Sequence, residues 1–165
     1  LDEKKIPQNE ILEGWHRPAP ANHDFDYDDY TIEVKTVSRS NTTTQITSED
    51  QLTALEGKDH KLKLFRIENI NKSQTDSLGN LYDEIRTILK PRLINIFDLK
   101  CAEDINSSYF GPEVMPLDYK FTVIEEFLYD IDQINFPRIK KENLDQGISK
   151  VSYNLDISAI EDFKI

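Results

Sequence analysis

The segment Asp24-Phe25-Asp26-Tyr27-Asp28-Asp29-Tyr30-Thr31-Ile32-Glu33-Val34-Lys35 constrains this chain more than any other stretch. Two short runs of aromatic and β-branched residues flank Asp28-Asp29, which predicts a tight β-hairpin with the two aspartates as its turn. In that register Tyr27 faces Tyr30, Asp26 faces Thr31, Phe25 faces Ile32 and Asp24 faces Glu33. Side chains alternate along a strand, so Asp24, Asp26, Thr31, Glu33 and Lys35 share one face. Phe25, Tyr27, Tyr30, Ile32 and Val34 take the other, which is the expected core side. Directly opposed residues have Cβ atoms roughly 4.5–5.5 Å apart. Two carboxylates held that close repel each other unless a cation sits between them. The plain alternative is a half-exposed hairpin whose polar face is simply solvated.

Spacing alone does not decide between these readings. An acid-x-Lys triplet occurs eight times in the chain, but only Glu33-Val34-Lys35 sits in a β-branched strand with an acid placed to oppose it. At 165 residues, with 38% hydrophobic and 31% charged residues, the chain fits one soluble globular domain. No apolar run approaches the roughly 18 residues needed to span a membrane, and no signal peptide is evident. The single Cys101 excludes an internal disulfide and fits a reducing cytoplasm. One cysteine and three scattered histidines speak against a zinc site, and no nucleophile elbow supports a serine hydrolase. The first residue is Leu1 rather than methionine, as a fragment of a longer protein would show.

A net charge of −11 is awkward for a nucleic-acid enzyme, because affinity for DNA comes largely from Lys and Arg on phosphates. The charge is uneven, however. Lys58, Lys61, Lys63 and Arg66, with His60 among them, form a basic patch, and Arg138, Lys140, Lys141 and Lys150 a second. Arg39, Lys58, Lys61 and Lys63 are the candidate nucleic-acid contacts. His16 and His23 are left out of the site, His23 because the hairpin alternation places it on the Val34 side.

Elsewhere the pattern predicts a short strand at Ile11–Trp15, a turn at Pro18–Pro20, and a polar loop from Ser38 to Thr43. Ser48 and Gln51 form a capping box for a helix over residues 49–56 that stops at Gly57 and buries Leu52 and Leu55. Leu62–Ile67 alternates as a strand. After the polar stretch 71–75, Asp76 is the expected N-cap of a helix ended by Pro91, and a second helix follows through Phe97. Two strands separated by Glu125-Glu126 are expected between Tyr119 and Ile131. A last strand is expected over Ile148–Ile157, with Ser158 capping a short final helix.

Two strands carrying Asp and then Glu-x-Lys resemble the PD-(D/E)XK nuclease superfamily. Four landmarks narrow the resemblance: Trp15 ahead of Asp24-Phe25; Ile32-Glu33-Val34-Lys35-Thr36; Ile46-Thr47-Ser48-Glu49-Asp50-Gln51-Leu52; and Phe136-Pro137-Arg138-Ile139 before Gly147-Ile148 and Tyr153. Together they are similar to one bacterial family assigned to the PD-(D/E)XK endonucleases, whose members accompany restriction and phage-defence gene clusters. The similarity runs from about residue 11 to the end. Part of that family's N-terminal region, including a helix with a glutamate near the site, is missing or lies in the first ten residues.

The resemblance implies a mixed α/β, restriction-endonuclease-like core: a central mixed β-sheet flanked by helices, with a C-terminal β-rich extension. Residues 1–165 form a single nuclease-like domain in this reading, about 11–70 as catalytic core and about 71–165 as the extension packed on it. It implies that Asp24, Glu33 and the Val34 carbonyl bind Mg²⁺ or Mn²⁺, and that Lys35 orients or helps deprotonate the attacking water. Asp26 and Gln45 are possible auxiliaries. The implied function is a metal-dependent endodeoxyribonuclease of restriction or phage defence. DNA is the implied partner; a homodimer and a subunit of a restriction or defence complex are the two arrangements the sequence leaves open. The rival is a non-catalytic nuclease-fold module that binds DNA or a partner subunit.

Overall fold

In the computed structural model, residues 6–16, 23–53, 55–69, 76–106 and 120–165 are described. The expected turn at Pro18–Pro20 and the polar stretch 71–75 lie outside them. The chain divides into two compact units, Leu1–Ala21 with Asn69–Thr122, and Asn22–Glu68 with Val123–Ile165. The architecture is mixed α/β, with a mixed multi-stranded sheet and helices.

The first unit is mainly helical: α1 (Gln8–Gly14), α2 (Leu78–Ile88) and α3 (Pro91–Asn106). Its core is Leu12, Leu93 and Phe97, with Trp15, Tyr82, Ile85 and Leu89 packed around them. The strand expected at Ile11–Trp15 is therefore helix up to Gly14. Burial of Leu12 on α3 and the Gln8 amide fix it there. Gln8 Nε2 donates to the Ile88 carbonyl at 2.7 Å, and its Oε1 accepts from Lys90 N at 2.9 Å, joining α1 to the α2–α3 corner. The N-cap of α2 is Ser77, whose hydroxyl accepts from Asn80 N at 3.0 Å, one residue later than expected. Pro91 both ends the previous helix and opens α3, since proline at the first helical position forfeits no needed N–H.

The second unit holds β1 (Phe25–Asp26), β2 (Tyr30–Ser38), β3 (Thr43–Ile46), β4 (Asp59–Glu68), most of β6 (Lys120–Asp130) and β7 (Tyr153–Asp156). A two-residue strand β5 (Asp76–Ser77) of the first unit pairs with the start of β6 at Lys120 and Phe121. The predicted hairpin is present in the predicted register: Phe25 opposes Ile32, Asp26 opposes Thr31, and Tyr27 N donates to Tyr30 O at 2.9 Å across Asp28-Asp29. β4 runs parallel to β2 in register from Tyr30↔Asp59 to Ser38↔Ile67, with β6 on its other side. A parallel neighbour cannot be reached by a hairpin, and residues 39–58 supply the crossover.

Four expectations are corrected here. The segment 49–56 is not an α-helix but a single 3₁₀ turn, Glu49–Leu52, and Ser48 makes no side-chain cap bond. Gln51 is engaged elsewhere, and Gly57 (φ +80°) serves the turn before β4. Glu125 and Glu126 do not separate two strands. They lie inside the continuous β6, where Arg66 Nε meets Glu125 at 3.1 Å and Lys63 Nζ meets Glu126 at 2.9 Å. The last strand is only Tyr153–Asp156, paired antiparallel with β3, because Lys150 N and Val151 N donate to the Glu49 carboxylate at 3.1 and 2.7 Å instead of to a ladder. The final 3₁₀ segment Ile157–Phe163 is capped by Asp156, which accepts from Ser158 N at 2.9 Å, not by Ser158.

The largest correction concerns which face is inside. Thr31, Glu33 and Val37 of β2 and His60, Leu62 and Leu64 of β4 are buried, while Phe25, Tyr27, Tyr30 and Val34 are only half-buried. The core of this unit is Val37, Ile46, Leu52, Leu62, Leu64, Tyr129, Ile131, Phe136, Leu155, Ile157 and Ile160. Paired residues of parallel strands project to the same side, so Leu62 and Leu64 stand beside Glu33 and Lys35. The acid-bearing face is thus the core face. Leu62→Ala is expected to cost about 2–5 kcal/mol, because a fully buried leucine leaves a cavity that the sheet cannot close. The urea midpoint measures this.

Candidate active site

β1 is only two residues long, so the N–H of Val34, two residues past the last paired position of β2, has no ladder partner. The Asp24 carboxylate supplies one: Oδ2 accepts from Val34 N at 2.8 Å. The N–H and C=O of one strand residue face the same neighbour, so the Val34 carbonyl is directed to this edge too. Asp24 is 8% exposed and Glu33 1%. Lys35 Nζ lies 2.7 Å from Glu33 Oε1 and donates to Gln51 Oε1 at 2.9 Å. The same amide oxygen accepts from Thr47 N at 2.8 Å. Alternation along β2 and the short 3₁₀ turn therefore bring Glu33, Lys35 and Gln51 together on the core face, and the Asp24 carboxylate meets the same strand at Val34 N.

Around them is a polar layer that the pattern of charges did not reveal. His60 is fully buried, with Nδ1 against Thr31 Oγ1 and Nε2 3.2 Å from the Gln51 carbonyl. A carbonyl only accepts, so Nε2 carries the proton and Nδ1 accepts from the Thr31 hydroxyl. His60 N donates to Asp132 Oδ2 at 2.6 Å. The His23 ring stands edge-on to His60 at 4.2 Å, so His23 lies on the Thr31 and Glu33 side, not on the Val34 side. Nor does His60 belong to a basic patch. Burial, and next the neighbouring His23, lower its imidazole from 6.5 to about 4. Burial lowers His23 as well, against the pull of Asp26 and Asp24. The alternation His60-x-Leu62-x-Leu64 is the one sequence signal that marks this histidine as buried.

Between pH 6.5 and about 4 the unfolded chain binds a proton at His60 that the folded chain refuses, so stability falls as pH falls through this window. The loss between pH 7 and pH 5 is expected to be about 2 kcal/mol from this group. Urea midpoints at the two pH values check it, and His60→Gln is expected to flatten the difference.

The other candidates have partners of their own. Asp26 is ion-paired with Lys58, which also donates to the Tyr27 carbonyl at 2.7 Å. Gln45 is exposed and reaches Ser152 Oγ at 3.4 Å; Gln51, not Gln45, touches Lys35. Arg39 pairs with Glu68 at 3.3 Å, Lys61 with Asp130 at 3.2 Å, and Lys63 with Glu126 at 2.9 Å. Each of the four candidate nucleic-acid contacts is thus matched by a carboxylate.

Among the described residues, no group of three or more His, Cys, Asp and Glu side chains is arranged to hold a metal. The donor set that is present is all oxygen: two buried carboxylates and the Val34 carbonyl. That set fits Mg²⁺, which usually takes one or two carboxylates and fills the rest of its shell with water and substrate phosphate.

A mixed sheet with an antiparallel hairpin, a parallel third strand and an acid facing Glu-x-Lys is consistent with a restriction-endonuclease-like fold. The family model described as "Putative PD-(D/E)XK family member, (DUF4420)" matches residues 1–158, and the chain belongs to this family. No curated protein and no solved structure matches the chain. Among the described residues, no helix is long and apolar enough to cross a membrane.

Proposed function

We propose that this chain is a divalent-metal-dependent endonuclease that hydrolyses DNA phosphodiester bonds, in restriction or phage defence, in the cytoplasm. One observation carries the reading: Asp24 and Glu33 are both buried, Asp24 bonded to Val34 N of β2 and Glu33 paired with Lys35 of the same strand. Burying charge costs several kcal/mol per ion; the Val34 N–H meets Asp24 and the Lys35 ammonium meets Glu33, and a cation held by the two carboxylates would complete the compensation. Asp24, Glu33 and the Val34 carbonyl are the residues to hold Mg²⁺ or Mn²⁺. Such an ion, when bound, would supply Lewis acidity and a more acidic water. Asp24 also ties the edge of β2 to the residue before β1. Lys35 places a positive charge on the face where phosphate charge builds up and donates to the attacking water. His60, held by Thr31, donates to the Gln51 carbonyl and keeps Gln51 in place.

A second reading is favoured by the charge pairing. Arg39, Lys58, Lys61 and Lys63 are each engaged by an acid, and the net charge is −11. A non-catalytic module, bound to DNA through a partner subunit, fits that balance. Calorimetry with Mg²⁺ and Mn²⁺, run beside nicking of supercoiled plasmid, separates the two. The nuclease reading predicts one weak cation site and nicking that EDTA stops. Cation binding without nicking favours the module.

A further inference from the structure

Lys35 has two partners of different kinds, the Glu33 carboxylate at 2.7 Å and the Gln51 amide oxygen at 2.9 Å. In the nuclease reading, on which this inference rests, Glu33 is given to a cation. One of the two restraints on the lysine is then weakened at the moment the lysine is needed. We propose that Gln51 is the positioning residue for Lys35, its amide oxygen keeping the ammonium at the site while Glu33 serves the metal.

Three features of the geometry support this role. First, the acceptor is neutral. A carboxylate in its place would compete for a hard cation and cancel the charge that the lysine brings to the phosphate, whereas an amide oxygen holds the ammonium and leaves its charge available. Second, Gln51 is restrained at both ends. Its Oε1 also accepts from Thr47 N at 2.8 Å, its backbone N donates to Ser48 O at 3.2 Å, and its carbonyl accepts from His60 Nε2 at 3.2 Å. Third, the other end of that His60 contact is anchored in the sheet that carries the site, through Thr31 on β2. The support runs from β2 through His60 to Gln51 and back to Lys35 on β2. A side chain held this way does not swing away when its partner's charge changes.

A purely structural Gln51 would only satisfy the Thr47 N–H, and the test separates that from positioning. Full-length protein labelled with ¹⁵N-lysine shows an ammonium Nζ resonance only for an ordered, hydrogen-bonded lysine, and Lys35→Arg assigns it. The resonance is recorded with and without Mg²⁺, and kcat and KM are measured on supercoiled plasmid. In the wild type the Lys35 resonance is expected to persist when Mg²⁺ is added. In Gln51→Leu it is expected to vanish on Mg²⁺ addition, with kcat down about 10–100-fold and KM unchanged, the loss typical of removing an outer supporting contact. Gln51→Glu, which keeps an oxygen in place for both Lys35 and Thr47, retains the resonance. If Gln51→Leu does not fold, Gln51→Asn, which withdraws the amide by one carbon, takes its place. A Lys35 resonance in the Leu or Asn variant that stays as sharp as the wild type in Mg²⁺ overturns the proposal. Wild-type protein that binds Mg²⁺ but never cuts DNA defeats the nuclease reading instead, while the resonance still decides the role of Gln51.

Discussion

Glu33→Gln is expected to abolish metal-dependent nicking, with a loss of roughly 10³-fold or more, while the protein stays folded. Glu33 is almost completely buried and its carboxylate is paired with Lys35; in the proposed reading it is a ligand of the cation. Lewis-acid stabilisation of the transition state is worth several kcal/mol, and each factor of ten in rate is about 1.4 kcal/mol, so losing the ion removes about three decades. The amide keeps the shape of the side chain. The new amide oxygen and the Gln51 oxygen both still accept from Lys35, so the ammonium stays hydrogen-bonded and part of the cost of unpairing it is offset. Calorimetry should show the cation site gone in the same variant. Glu161→Gln, on an exposed carboxylate paired with Lys164, is the matched control and should nick like the wild type. Equal nicking by Glu33→Gln and wild type would sink the metal site altogether.

Lys35→Met carries the largest expected effect on stability. Its side chain is 12% exposed and that of Glu33 1%, so the pair is nearly withdrawn from water. Removing one partner of a buried pair costs about 3–5 kcal/mol, because the other charge stays behind in a poorly solvated place. Chemical denaturation in EDTA should show a loss of that size at pH 7. Two further measurements separate charge burial from simple packing. Adding Mg²⁺ should recover part of the loss, since the ion replaces the ammonium beside Glu33 and ligand binding stabilises the folded state. The double variant Lys35→Met/Glu33→Gln should be more stable than Lys35→Met alone. If Mg²⁺ and the second substitution both leave the loss untouched, the lysine stem packs the site and its charge is not what matters.

These expectations turn on a site whose members were unequally legible. Asp24, Glu33 and Lys35 could be read from the chain because their arrangement is local. A two-residue turn at Asp28-Asp29 and a side-chain period of two fix the register of a hairpin without help from the rest of the molecule. Gln51 was visible as a capping-box partner and within the Ile46–Leu52 landmark, not as a neighbour of Lys35. In the structure its amide is taken by Thr47 N and Lys35, so the segment closes as a single 3₁₀ turn. His60 was counted among basic residues, yet it is neutral and buried, because burial among Thr31, Gln51 and His23 outweighs its ordinary affinity for a proton.

The sequence by itself determined the hairpin, its register, the membership of Asp24, Glu33 and Lys35 in one face, and the strand that follows the crossover. All of these rest on contacts between near neighbours in the chain. Only the tertiary structure decided which face of the hairpin is inside. Local hydrophobicity pointed to Phe25, Ile32 and Val34. The parallel pairing of β4, nearly thirty residues away, instead sets Leu62 and Leu64 beside Glu33 and Lys35, and β3, β7 and the Glu49–Leu52 turn bring Ile46, Leu155 and Leu52 into the same core. A strand with one acid and one lysine on its inner face can be buried because the two neutralise each other, and Gln51 and the Val34 N–H take up hydrogen bonds at the same edge. That balance is a property of three segments brought together, β2, the Glu49–Leu52 turn and the residue before β1, which no single stretch of the chain displays.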